Sequence, residues 1–226
     1  MYYSRMLYKE LEQNFGPEMI GQVLTYRQLS RRLNKIFRKD GIKVRIYKDD
    51  GYGVGKKSKA QPFSFSGYYE PDKEETPITI FIHLPAKKDK FKFTKINYPA
   101  FIFVFSQTIQ HEMIHHSQYS FRNEDNEKMV KVYHSNRLSK KRKEQINYLR
   151  EWCEIEAYAH DIAMEMNYYY GYNKPEQNLK NIDELSKLIT YRYYKEVFRG
   201  TGWHKVKKSL LKKIWRWIPV AHVPGS

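Results

Sequence analysis

The stretch Pro99–Tyr119 constrains the fold more than any other part of the chain. Phe101-Ile102-Phe103-Val104-Phe105 is apolar on every side, the pattern of a helix enclosed in a core. Polar residues return at Thr108, His111, His115 and Gln118, so on a helix they form one stripe along one face. Polar groups on an enclosed helix need partners, because an unsatisfied one costs on the order of 1–3 kcal/mol. A metal ion would satisfy the histidines. Two neutral imidazoles four residues apart stand one turn above the other and can share a zinc ion, which takes nitrogen, oxygen or sulfur ligands at about 2.0–2.3 Å in a tetrahedron. Glu112 follows the first histidine and points slightly aside, where its carboxylate can take a proton from water instead of binding the metal. His116 falls off the stripe and reads as a surface residue or a neighbour of the ligands.

A catalytic zinc site takes a third protein ligand and keeps an open position for water. A second long helix, expected over residues 143–169, carries Glu151, Glu154, Glu156, His160 and Asp161. Glu156 is the first choice, because Ala157 and Ala159 beside it would let two helices approach closely. Glu154 is the second, and His160, one turn beyond Glu156, is the third. A donor for a developing oxyanion is also needed at such a site. Tyr158, His160, Tyr191 and Tyr194 are equal candidates.

The remaining segments predict a mixed α+β chain. A helix is expected over residues 3–15, ending at Gly16-Pro17, and another from Thr25 to Arg38 with Leu29, Leu33 and Phe37 on one face, closed by Gly41. Ile42, Val44 and Ile46 alternate with Lys43, Arg45 and Tyr47 as a half-buried strand. Phe63, Phe65 and Tyr69 mark a second strand, and Ile78, Ile80 and Ile82 a third, with His83 facing outward. Pro77 and Pro85 bracket that third strand and suit a sheet edge. Residues 51–59 (GYGVGKKSK) lack the spacing of a phosphate loop and read as a basic turn. Residues 87–95 form another basic loop, and 123–143 a charged one. Toward the C-terminus a helix is expected from Asn181, capped by Asn181 or Asp183, to Phe198. Gly200-Thr201-Gly202 breaks it. A last amphipathic helix, Trp203–Ile218, sets Val206, Leu210, Leu211, Ile214, Trp217 and Ile218 against Lys205, Lys207, Lys208, Lys212, Lys213 and Arg216. Its apolar side is expected to pack on the same protein, and residues 220–226 to form a loose tail.

HEMIHHSQ, followed in the next long helix by EIEAYAHDIA, resembles the gluzincin class of zinc peptidases, most closely the ImmA/IrrE type with its similar Glu-x-Glu-Ala pattern. The likeness covers Ile78 to about Met164. It implies a zincin-like fold, with a small N-terminal mixed sheet packed on the H-E-x-x-H helix and on a second, Glu-bearing helix. It also implies zinc-dependent hydrolysis of a protein or peptide substrate, with His111, His115 and Glu156 as ligands and Glu112 as general base. The strand Thr76–Leu84 would lie at the cleft rim and pair with extended peptide. No helix-turn-helix sequence is present and the family's aromatic-Ala pair is displaced at Ala159, so that family's derepressing role does not carry over. Residues 1–199 would form the peptidase domain and 200–226 a basic helical extension.

Charge keeps a second function class in view. The chain has 41 Lys+Arg against 25 Asp+Glu, a net charge of +16, which favours contact with nucleic acid, an anionic surface or an acidic protein. The alternative reading is therefore a basic binding protein on a zincin scaffold, holding nucleic acid or a virion or cell-surface component, with a structural metal or lost catalysis. One cysteine, Cys153, excludes an internal disulfide. The absence of a leader-like start and of any apolar run near 18–20 residues predicts an intracellular protein without a membrane span.

Overall fold

Thr25 starts the helix that follows it as its side chain dictates. Its hydroxyl accepts from the Gln28 backbone N–H at 3.2 Å while its own N–H donates to Gln28 Oε1 at 2.8 Å, a reciprocal capping box. The helix, α1, spans Tyr26–Phe37 and buries Tyr26, Leu29, Leu33, Ile36 and Phe37. A single 3-10 turn follows, and Gly41 closes it at φ 74°, a left-handed conformation that glycine adopts without strain.

The computed structural model describes residues 11–48, 62–70, 73, 75, 77–120, 141–171, 175–181, 185–200 and 202–221. Most of the first expected helix, the 51–59 turn, residues 121–140, the Asp183 cap and the end of the tail lie outside the described residues. Residues 11–14 are helical, as expected. The chain divides into two compact units, 1–116 and 117–226, and its secondary structure is mixed α+β.

Among the described residues the first unit holds two small sheets. Strands β1 (Val23–Thr25) and β5 (Lys90–Lys92) pair antiparallel. Strands β2 (Ile42–Lys48), β3 (Ser64–Tyr69) and β4 (Ile78–Leu84) form the other in the order β2-β4-β3, with β2 parallel and β3 antiparallel to β4. The expected edge strand is thus the central one. Pro77 and Pro85 stand outside β4 and remove none of its ladder bonds, which is why two flanking prolines mislead as an edge signal. Both sides of β4 are hydrogen-bonded, so it offers no open edge to an extended peptide. At β2, Asn34 of α1 donates to the Val44 carbonyl at 2.7 Å and accepts from the Val44 N–H at 2.9 Å, which satisfies backbone groups that an outer strand leaves exposed.

Helix α2 spans Asn97–Ser120, two residues ahead of the expected Pro99. Thr94 and Asn97 exchange side-chain-to-backbone hydrogen bonds at 2.8 and 3.1 Å, a second reciprocal cap that fixes the start. Phe101 and Phe105 are buried among Phe15, Phe37, Phe63, Phe65, Phe91 and Phe93, with ring centroids 5.1 to 5.9 Å apart. This aromatic core is what makes the first half of α2 apolar all round.

The described residues of the second unit are helical apart from turns and short connections. The expected helix over 143–169 is two, α3 (Arg142–Arg150) and α4 (Trp152–Tyr170), separated by Glu151 in an extended conformation at ψ 136°. No Pro or Gly marks that break. A short α5 (Pro175–Lys180) and then α6 (Ile189–Val197) follow. Helix α6 begins later than Asn181, since Leu188 is extended and the Glu165 carboxylate from α4 accepts from the Thr190 N–H at 3.2 Å and from its hydroxyl. This cap comes from a distant residue and has no local sequence signature. Helix α7 (Trp203–Trp217) buries Val206, Leu210 and Ile214 against α4, as expected of its apolar side. Asn167 of α4 donates to the carbonyls of Ile218 and Ala221 at 3.0 and 2.8 Å, which satisfies acceptors left over at the end of α7. Among the described residues no helix is long and apolar enough to cross a membrane.

Candidate metal centre

His111 and His115 stand on successive turns of α2, 8% and 0% exposed. Their Nε2 atoms are 3.2 Å apart and their rings meet edge to face with centroids at 4.9 Å. Both rings therefore turn the same nitrogen toward one point, whether they share a proton or an ion. Glu154 is buried in the first turn of α4. One ligand atom from each of His111, His115 and Glu154 lies within 4.8 Å of the others, and all three residues are buried. Enclosing a carboxylate beside two imidazoles is costly unless opposite charge compensates, and a divalent cation would provide it. This group could bind a metal ion.

Glu156 is not part of it. Two residues along a helix turn the side chain by about 200°, so Glu154 and Glu156 leave α4 on opposite sides. The Glu156 carboxylate accepts from Trp217 Nε1 at 2.8 Å and forms an ion pair with Lys213, both on α7. His160, one turn after Glu156, shares that side: its ring meets the Trp217 ring at 5.0 Å and its Nδ1 lies 3.9 Å from Asp161 Oδ1. Small alanines do mark a buried helix, with Ala157 and Ala159 fully enclosed, but they do not say which glutamate faces the histidines.

Comparison with protein-family models, curated proteins and solved structures returns no match.

Glu112 is 2% exposed and lies against β3. Gly67 makes room for it: a Cβ built on Gly67 would sit 2.7 Å from Glu112 Cγ and 2.8 Å from Oε1. A side chain at position 67 could not be accommodated without moving the carboxylate. An isolated glycine inside a strand pattern is the sequence signal for such close approach, but by itself it names no site. The rest of the polar stripe is satisfied by backbone carbonyls. Thr108 donates to the Val104 carbonyl at 2.8 Å, and Gln118 donates to the Cys153 carbonyl at 3.3 Å. His116 is exposed and packs edge-on against Tyr69 at 5.3 Å, as its place off the stripe predicts. His83, on the outward face of β4, has Nε2 2.9 Å from Ser66 Oγ and stacks on Tyr47.

The electrostatics around Glu154 involve groups of its own unit. Burial, reinforced by the Glu154 charge, pushes the Cys153 thiol up to about 12, so it stays protonated and inert at neutral pH. Burial and then Glu154 also raise the Tyr193 phenol. Tyr193 is half-buried, and its hydroxyl stays a proton donor in the field of that carboxylate. Among the four expected donors, Tyr194 is fully buried and donates to the Leu149 carbonyl at 3.1 Å, a structural use. Tyr191 is enclosed against Trp203, its phenol pushed up to about 12 by burial. Tyr158 packs on Tyr194 at 5.1 Å.

Proposed function

We propose that this protein is a zinc-dependent peptidase whose zinc is held by His111, His115 and Glu154. The observation that carries the reading is the buried group of two imidazoles and one carboxylate, with Glu112 in the residue after the first histidine. Two histidines and a glutamate with a remaining open position is a ligand set of catalytic zinc. The spacing fits as well. Two nitrogens each about 2.05 Å from a zinc at a tetrahedral angle lie about 3.3 Å apart, against the 3.2 Å between the two Nε2 atoms.

When bound there, zinc supplies the Lewis acid that polarises a substrate carbonyl and brings the pKa of water toward ~7. Glu112 has no ligand role in this set. Held in place by the space at Gly67, its carboxylate would accept the proton of the attacking water and return it to the leaving amine. Burial on α2 keeps the base in one position, which is what a proton transfer in a defined direction needs. The zincin-like resemblance of the sequence fits this assignment once the third ligand is Glu154.

The test is a proteome-derived peptide library incubated with zinc-loaded protein and read by mass spectrometry, with Glu112→Gln alongside. The expected result is a set of new termini from the native protein and none from Glu112→Gln, with zinc content equal in both. Equal cleavage by the two, or none by the fully zinc-loaded native protein, would contradict the reading.

A further inference from the structure

Helix α7 turns a second, chemically different face to solvent. Val206, Leu210 and Ile214 are buried and Lys213 is taken by Glu156, so the apolar side of this amphipathic helix is occupied within the protein. On the opposite side Lys205, Lys208, Lys212, Trp215 and Arg216 are all exposed. At 100° per residue these five fall within an arc of about 100°, which makes them one stripe. Trp215 is 49% exposed, unusual for a side chain whose burial is worth so much. Among the described residues no carboxylate pairs with Lys205, Lys208, Lys212 or Arg216, and no Asp or Glu follows Glu196 in the sequence.

We infer that this face binds single-stranded nucleic acid, with the four cations on successive phosphates and Trp215 stacked on an unpaired base. Successive cations are three or four residues apart, about 4.5–6 Å along the axis. Flexible lysine stems can adjust that spacing to phosphates that recur about every 3.4 Å along one strand of a duplex and farther apart when it is extended. An aromatic ring among cations adds stacking that is tolerant of base identity but needs the base to be unpaired. An anionic membrane is the weaker occupant, because interfacial helices bind by burying their apolar face in lipid and here that face is packed on α4. The inference does not depend on the metal centre.

Fluorescence anisotropy of a labelled oligo(dT) of about 15 nucleotides, with the full-length protein, tests it. Binding should weaken with salt at a log–log slope of about −3, from four phosphates at about −0.7 each. Trp215→Ala should weaken binding about fivefold or more. Lys208→Glu with Lys212→Glu should lower affinity at least about tenfold and bring the slope to about −1.5. Lys87→Glu with Lys88→Glu, exposed residues of the other unit with the same change in net charge, should stay within about twofold. If circular dichroism shows that the charge reversal disturbs α7, the Lys208→Gln/Lys212→Gln pair replaces it. Equal losses in the two reversed pairs would overturn the inference in favour of net charge alone. So would unchanged binding by Trp215→Ala, or Trp215-dependent binding to phosphatidylserine vesicles without binding to the oligonucleotide.

Discussion

Replacing Gly67 by alanine adds one methyl group against the proposed catalytic base. The new Cβ would stand 2.7 Å from Glu112 Cγ, 2.8 Å from Oε1 and 3.0 Å from Ile80 Cδ1. Comfortable carbon contacts are at about 3.5–4.0 Å, so the Glu112 side chain must retreat by about 1 Å. It is the flexible partner; the strand backbone and Ile80, buried in the sheet, are not. A misplacement of about 1 Å at a reacting group can cost on the order of 100-fold in rate, and the overpacking about 1–3 kcal/mol of stability. The expected Gly67→Ala protein is folded, binds zinc as the native protein does, and cleaves peptides about 100-fold more slowly, with the loss in kcat. Activity would be followed on a fluorogenic peptide built on the best library cleavage site, zinc by elemental analysis, and folding by thermal melting. Unchanged kcat with intact folding would refute the proposed position of Glu112, and loss of zinc in parallel with activity would refute its separation from the ligands.

Two further outcomes follow from packing. Lys213→Met leaves the Glu156 carboxylate without its cation in a site only partly open to water. The expected loss is about 2–3 kcal/mol, less than the 3–5 of a fully buried pair, and urea unfolding should show part of it restored in the Glu156→Gln/Lys213→Met double variant. Tyr98 donates to the Phe15 carbonyl at 2.8 Å, and its burial raises the phenol from 10.0 to about 12. Folded and unfolded states both keep this proton below pH 10; between pH 10 and 12 only the folded state does, so the contribution of about 2–3 kcal/mol is lost as pH rises through that window. Tyr98→Phe should show a shallower fall in stability between those pH values, measured by urea titrations at each.

Local chemistry made much of the fold legible and tertiary choices did not. The helix start at Thr25 is legible, as is the inward face of β2 at Ile42 and Val44, because caps and alternation act within a few residues. The two histidines were readable for the same reason, as one turn of helix fixes their mutual position. Which carboxylate completes the group depends on how α4 is rotated, and that is set by α7: Trp217 and Lys213 hold Glu156 on one side and leave Glu154 on the other. A sequence places Glu154 and Glu156 equally near and cannot weigh a partner some sixty positions away. Likewise Glu165 caps α6 across the fold, and β4 became central through pairing that its flanking prolines do not report.

Zinc affinity of the native protein, Glu154→Gln and Glu156→Gln, measured by competition with a chromogenic chelator, tests the central claim most directly. The native protein is expected to hold about one zinc per chain. Glu154→Gln should bind zinc more than about 100-fold more weakly, since it loses a ligand rather than a supporting contact, and Glu156→Gln should stay within about threefold despite its lower stability. Zinc retained by Glu154→Gln and lost by Glu156→Gln, or no zinc in the native protein after reloading, would contradict it.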